Sequence, residues 1–315
     1  MQPAVEAAVR RQNSCRLLLE QRSPAARGLR SLSRLLSCIR FDEVLVLQGS
    51  PLLGAVFSIG RLTGEKAADL SIFAAASFCL SAHVFVLNDW SGISADSRDP
   101  NRTTGVCVNK GIHHSSVRYL WMALLALSLL LLSPFGSRTL LIALAIAGLS
   151  ALYSAPAFHM KGVPILNSAI HLGGGLLHFL LGYSLFRPVD GRSLEIGCFF
   201  ALAFAAGHLT HEARDLEADF LNGIRTNAVT FGRARCFAAG LGLFTIADVL
   251  LVVLAARGTV PRALVLVAAF YSVHLYWSLQ TLPAGLNFES IRRLQVRYRA
   301  LYAIIGLMMV VTVLV

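Results

Sequence analysis

Two short acidic stretches carry most of the chemistry legible in this chain of 315 residues. One runs Asn88-Asp89-Trp90-Ser91-Gly92 and on to Asp96 and Asp99; the other runs His211-Glu212-Ala213-Arg214-Asp215-Leu216-Glu217-Ala218-Asp219. Seven of the 17 acidic residues are gathered in them. Spacings of three, four and seven place side chains on one helix face. Glu212, Asp215 and Asp219 therefore form one acidic stripe, and Asp89 and Asp96 most of another, while Glu217 falls off the stripe. Like charges held together cost free energy unless cations offset them. Carboxylates suit hard divalent ions, and Mg²⁺ binds through a few carboxylates, waters and substrate phosphates. Two facing acidic stripes thus suggest a Mg²⁺-bridged diphosphate. The plainer reading is that the acids cap and solvate helix ends. Acids at helix C-termini oppose the macrodipole, an objection that weakens if the helices run on through them.

The two stretches are copies of one pattern. A shift of 123 positions brings Asp89 onto Glu212, Gly92 onto Asp215, Asp96 onto Asp219 and Arg102-Thr103 onto Arg225-Thr226. Basic residues able to hold phosphate oxygens accompany them: Arg98, Arg102, Lys110, Arg214 and Arg225. Lys161 joins this set as the only basic residue of its loop, Tyr153-Ser-Ala-Pro156-Ala-Phe-His159-Met-Lys161-Gly162.

The elements that must position these residues are apolar and long. The chain is 56% hydrophobic and 14% charged, with a mean hydropathy of +0.64. That excludes a disordered or collagen-like chain. Its six cysteines are scattered without a CxxC pair, so neither a disulfide framework nor a zinc site is indicated. A bilayer crossing needs about 20 apolar residues. Nine such runs are read, at 43–60, 68–88, 118–135, 138–154, 164–186, 194–211, 233–256, 260–280 and 297–315. The expected fold is an all-α membrane protein: about nine transmembrane helices in a bundle with a parallel four-helix internal repeat. Residues 43–315 form that domain, and residues 1–42, with eight arginines, a basic arm on anionic lipid or a targeting peptide.

The formal charge of +11 alone would point to a polyanion. Its distribution points to topology instead. With the arm inside, 21 of the 28 Lys and Arg fall on inner segments, the bias of cytoplasmic loops. Nucleic acid is therefore not an expected partner, the lipid bilayer is, and no obligate protein partner is implied. Both acidic stretches face the same inner compartment. The expected setting is a multi-pass protein of a bacterial inner membrane with its site toward the cytoplasm, an organellar inner membrane being the alternative.

Taken together, Asn88-Asp89 with Asp96, the Tyr-Ser-x-Pro…Lys-Gly loop and the second acidic stretch with Gly223-x-x-Thr226 resemble the UbiA superfamily of intramembrane prenyltransferases. The resemblance runs from about residue 40 to the end, and nine helices match it. It implies Mg²⁺-dependent transfer of an isoprenoid chain from a prenyl diphosphate to an aromatic or other lipid-soluble acceptor, which stays unidentified. Carried over by position, Asn88, Asp89 and Asp96 are metal ligands of a first motif. Asp215 and Asp219 are those of a second, with Glu212 where Asp is usual. Tyr153 and Lys161 become diphosphate contacts. The catalytic set is then Asp89, Asp96, Asp215, Asp219 and Lys161, with Asn88, Arg102, Arg214 and Arg225 on the substrate. The sequence departs from the family pattern at Gly92, where an acid is usual, and at Glu212.

The mechanism expected from these residues is charge stabilisation of a leaving diphosphate and an allylic cation in a water-poor cavity. Aromatic faces can stabilise such a cation; Phe179, Tyr183, Tyr271, Tyr276 and Trp277 are candidates. Intramembrane polar residues mark acceptor sites. His171 and His178, seven apart on one helix face, lead this group, followed by His208, His211, His83, Asp248 and His274. A membrane terpene cyclase with the same ionisation chemistry is the alternative, prompted by Gly92. A transporter is a third reading, drawn from the parallel repeat.

Overall fold

The computed structural model describes residues 33–96 and 112–314, with the side chains of residues 94–96 left out. Arg98, Asp99, Arg102 and Lys110 lie outside the described residues. So does the Asp96 side chain, although the backbone of Asp96 closes a helix.

Everything described is helical or turn. The chain enters through α1 (Phe41–Leu47) and α2 (Gly49–Ile59), which together make the first crossing. Then follow α3 (Gly64–Asp96), α4 (His114–Leu132), α5 (Ser137–Ser154) and α6 (Leu166–Tyr183). The second half holds α7 (Gly191–Leu221), a short α8 (Asn227–Phe231), α9 (Arg233–Ala256), α10 (Val267–Thr281) and α11 (Phe288–Leu314). Among the described residues, eight spans are long and apolar enough to cross a membrane. The fifth apolar run of the sequence, α6, falls outside that set because Asn167, His171, His178 and its glycines dilute its hydropathy. It is nevertheless held in the middle of the bundle, against α2 on one side and α7 on the other.

Close approach at α2 and α6 depends on missing side chains. A Cβ on Gly182 would strike the Pro51 carbonyl, and a Cβ on Gly54 would strike the Phe179 carbonyl. Backbones meet there, the way small residues bring membrane helices together. The core beside them is aromatic: Phe179 stacks on Phe200 at 4.8 Å and 14°, and both Phe179 and Tyr183 are completely buried.

Several helices outrun their apolar segments. α3 continues through Asn88 and Asp89 to Asp96, and α7 continues ten residues past 211 to Leu221. α11 begins at Phe288 rather than near 297. Backbone hydrogen bonding is satisfied within a helix whether or not its side chains favour lipid, so the rods project beyond the apolar zone. The first acidic stretch as far as Asp96, and all of the second, therefore stand on helix bodies at the same end of the bundle.

Candidate active site

α3, α5, α6 and α7 enclose a cavity at that end. Its mouth is polar: Arg40, Glu43, Asn88, Lys161, Arg214, Asp215, Asp219 and Asn222 line it. Deeper in, Leu47, Val84, Phe85, Ile146, Leu149, Ile170 and Phe204 form an apolar wall. Tyr153, His171, His178, His208 and Glu212 complete it between these zones.

Asp215 and Asp219 stand one turn apart on α7 and share the cavity wall, as the spacing required. Arg214 grips Asp215 through both oxygens, Nε on Oδ1 at 2.6 Å and a terminal nitrogen on Oδ2 at 2.8 Å. Its third hydrogen bond goes to Gln295 of α11 at 2.6 Å. Across the mouth, Asp89 of α3 is held in the same two-pronged fashion by Arg40, with Nε on Oδ2 at 2.8 Å and a shorter contact to Oδ1. Such planar forks give geometric specificity as well as energy. Asn88, one residue earlier, lines the cavity and accepts a hydrogen bond from Ser154 Oγ at 3.3 Å.

Glu212 is placed differently from the rest of its stripe. It is 5% exposed, and its oxygens are engaged inside the protein. Asn167 Nδ2 donates to Oε1 at 2.5 Å; Asn227 gives its side-chain amide to Oε2 at 2.9 Å and its backbone N–H at 3.1 Å. His208 Nε2 lies 3.2 Å from Oε1. Asn167 also donates to the Lys161 carbonyl at 3.2 Å, and Asn227 Oδ1 accepts from the Ile165 N–H at 2.7 Å. The buried carboxylate thus ties α7 to the loop that carries Lys161 and to the start of α8. That loop needs tying. His159 and Ile165, on either side of Lys161, both take positive φ, at 46° and 65°. A β-branched residue there is strained and persists only when its surroundings over-determine it.

His171 of α6 and His208 of α7 stack face to face at 3.6 Å and 8°. Tyr153 meets His171 edge-on at 4.8 Å. His178 donates from Nδ1 to the Gly174 carbonyl at 2.7 Å.

Of the residues singled out from sequence, the cavity brings together Asn88, Tyr153, Lys161, His171, His178, Glu212, Arg214, Asp215 and Asp219, with Asp89 joined to them through Arg40. Arg225 is exposed and does not line it. The aromatic candidates are corrected. Phe179 and Tyr183 are packed in the core, Tyr276 is 58% exposed, and Tyr271 hydrogen-bonds Thr245. Phe85, Tyr153 and Phe204 are the rings that reach the cavity. Asp248, one of the intramembrane polar candidates, is bound by the Tyr302 hydroxyl at 2.6 Å, in the α9–α11 contact.

Sequence reading missed Arg40, Asn167 and Asn227. Arg40 was legible only as one arginine of a basic arm. The two asparagines carried no signal beyond being amides in or beside apolar helices.

The comparisons with known proteins agree with this architecture. The family model described as the UbiA prenyltransferase family matches residues 50–286. The chain belongs to the UbiA prenyltransferase family. Among solved structures, a UbiA homolog from Archaeoglobus fulgidus bound to GPP and Mg²⁺ is similar at a TM-score of 0.69 and 18% identity, over 88% of this chain and 99% of that one. A structure described for digeranylgeranylglyceryl phosphate synthase in membranes is similar at 0.67 and 19%, over 90% and 99%. The apo UbiA homolog from Aeropyrum pernix K1 gives 0.67 and 18%, over 86% and 98%. At these identities the likeness is one of fold. A search against curated proteins by sequence finds no match.

Proposed function

We propose that this protein transfers a prenyl group from a prenyl diphosphate to a lipid-soluble acceptor, with Mg²⁺, in an integral membrane setting whose cavity mouth faces the cytoplasm. The observation that carries the reading is the two-zone cavity. Glu43, the α7 carboxylates Asp215 and Asp219, the Asn88 amide of α3 and the cations Arg40, Lys161 and Arg214 meet at its mouth, above an apolar wall. Family membership and the GPP- and Mg²⁺-bound homolog of the same fold support it.

Among the described residues, no three His, Cys, Asp or Glu side chains are grouped to hold a metal by themselves. The donor chemistry nevertheless fits Mg²⁺. Asp215 and Asp219 from one wall and Asn88 from the other line the cavity, with Asp89 behind Asn88 on the Arg40 fork; all are oxygen donors, and Mg²⁺ takes few protein ligands and completes its shell with water and phosphate. Bound there, Mg²⁺ would neutralise the diphosphate and make it a better leaving group. Glu212, with both oxygens committed to Asn167 and Asn227, acts in this reading by positioning.

The chain's own residues do the rest. Lys161 offers the phosphate oxygens a point charge, and Arg214 and Arg40, forked on Asp215 and Asp89, add positive charge beside them. Tyr153 stands beside them, and the apolar wall receives the isoprenoid chain and excludes water. The C–O bond then breaks under charge stabilisation from fixed groups, and the allylic carbon is captured by the acceptor. Asp96 and Arg102 remain proposed as a further ligand and a phosphate contact.

Asp215→Ala and Asp219→Ala are expected to abolish Mg²⁺-dependent turnover of a prenyl diphosphate while leaving the protein folded. Full activity in either variant contradicts the assignment. A hydrocarbon or prenol as sole product would move the reading to a cyclase.

A further inference from the structure

Arg214 is held at the cavity mouth from two sides, and one of them lies outside the cavity. Toward the mouth it forks Asp215 with Nε and one terminal nitrogen. Its other terminal nitrogen donates to Oε1 of Gln295 at 2.6 Å, and its central carbon stands over the Phe288 ring, 5.5 Å from the centroid. Gln295 and Phe288 both belong to α11, which does not line the cavity. Gln295 is 2% exposed, with buried Ile291, Leu294 and Tyr298 beside it, and these pack with Leu209 and Ala213 of α7. A leucine would fill such a place with no polar group to desolvate, whereas a buried amide is unfavourable unless it is hydrogen-bonded. What the amide oxygen adds over leucine is its bond to Arg214.

The same face of α11 reaches the mouth a second time. One turn beyond Gln295, Arg299 donates from a terminal nitrogen to both oxygens of Glu43, at 2.9 and 3.3 Å, and to Nε2 of His211 at 3.1 Å. An arginine can only donate, so His211 accepts through Nε2. Glu43 of α1 and His211 of α7 both line the cavity, and Arg299 does not. Residues four apart share a helix face. One stripe of α11 therefore reaches α7 and α1 from behind the cavity wall.

We propose that Gln295 is a positioning residue of the diphosphate site: from α11 it fixes the guanidinium of Arg214, and through it Asp215, without itself touching substrate or metal. The inference rests on the prenyl-transfer reading above and extends its machinery to α11. The physical gain is pre-organisation. Arginine has a long side chain with many rotamers, and ordering it only when a diphosphate arrives would weaken binding. Three hydrogen bonds and the Phe288 ring order Arg214 beforehand. Asp215 is oriented with it, because a planar fork fixes the carboxylate that it meets. Gln295 acts on the far side of that guanidinium, through an amide oxygen that orients it and adds no charge to a mouth that must admit an anion.

The test uses the purified full-length protein in detergent with saturating Mg²⁺. One readout is the inorganic diphosphate concentration at which the ligand-induced rise in melting temperature is half complete. The other is KM and kcat for diphosphate release from whichever of geranyl, farnesyl and geranylgeranyl diphosphate the wild type turns over fastest. Gln295→Leu, and Gln295→Met as an unbranched second replacement, should raise the diphosphate midpoint and KM by about tenfold, the worth of one hydrogen bond to a charged group. The kcat should stay within severalfold, since binding lost alike from ground and transition state leaves it unchanged. A merely structural loss would lower the melting temperature with and without diphosphate and leave the midpoint in place. Val296→Ala, on the exposed side of the same helix, should match wild type. The effect should also run through Arg214: in an Arg214→Met background, Gln295→Leu should shift the midpoint no further. An unchanged midpoint in both single variants overturns the proposal. So does a full tenfold shift added on top of Arg214→Met. A wild type that is not stabilised by diphosphate and releases none from any of the three substrates contradicts the prenyl-transfer reading itself.

Discussion

The side-chain amide of Asn167 donates to the carboxylate of Glu212 at 2.5 Å, joining α6 to α7 in the interior of the bundle. Around that bond, Asn227 and the Lys161 carbonyl close a network in which one buried charge orders two loops. Removing one partner of a buried charge leaves it unsatisfied, at a cost of about 1–3 kcal/mol. Asn167→Ala is therefore expected to lower the melting temperature in detergent. It should also raise the prenyl diphosphate concentration needed for half-maximal turnover, since the Lys161 loop loses a tether. An unchanged melting temperature would show that Glu212 does not depend on this contact.

Across the mouth, Arg40 competes with a metal for Asp89. While the fork is made, Asp89 is neutralised by a guanidinium. Arg40→Ala removes that guanidinium, so the Mg²⁺ concentration for half-maximal diphosphate release should fall, by roughly tenfold if the fork is worth about 1.4 kcal/mol. A titration at fixed prenyl diphosphate reads this directly. A rise in the Mg²⁺ requirement would show that Arg40 serves the substrate more than it restrains the ligand.

How much of this was legible in the sequence depends on range. Nine apolar runs and two acidic stretches are local patterns, and each corresponds to a helix or to a helix end in the structure. The one-turn pairing of Asp215 and Asp219 follows from helical periodicity alone. What periodicity does not encode is which face of a stripe turns toward a neighbour. Glu212 shares the stripe with Asp215, yet it is drawn into the protein by Asn167 and Asn227, 45 residues before it and 15 after. Arg40 reaches Asp89 across 49 residues, a pairing that composition can only blur into a basic arm. The aromatic candidates failed for a related reason: rings in apolar helices are used first for packing, as the Phe179–Phe200 stack shows. The expected parallel repeat stands where the sequence left it, because its first copy runs through Asp96 and Arg102 into residues beyond those described.

Gly182 offers a test of the packing that holds the cavity. Any side chain there meets the Pro51 backbone, which cannot swing aside like a flexible side chain. Gly182→Ala should destabilise the bundle by at least the 1–3 kcal/mol typical of overpacking, about the upper end of that range. Gly148→Ala, whose Cβ would meet nothing within 4 Å, is the matched control. Equal melting curves for the two variants would refute close backbone contact between α2 and α6.

Asp190 caps α7 at the end opposite the cavity. Its carboxylate accepts the Ser193 N–H at 2.7 Å, and Ser193 Oγ accepts the Asp190 N–H at 2.9 Å. The Ser193 N–H, favouring the charged form, holds the Asp190 carboxyl below its ordinary value. A depressed carboxyl stabilises the fold above its unfolded-state pKa, and that contribution is lost as pH falls through the lower folded-state value. Asp190→Ala should cost about 1 kcal/mol near neutral pH. The gap from wild type should narrow in melts toward about pH 3, with diphosphate release at neutral pH unaffected. A gap that widens on acidification would contradict the cap.

The central claim is that the polar mouth above the apolar wall binds and ionises a prenyl diphosphate. Its most direct measurement is inorganic diphosphate released by the purified protein from geranyl, farnesyl and geranylgeranyl diphosphates, with Mg²⁺ and again with a chelator. Release from at least one substrate that requires Mg²⁺ and is lost in Asp219→Ala is the expected result. Release from none of the three, or release that persists undiminished in the chelator or in Asp219→Ala, would contradict it.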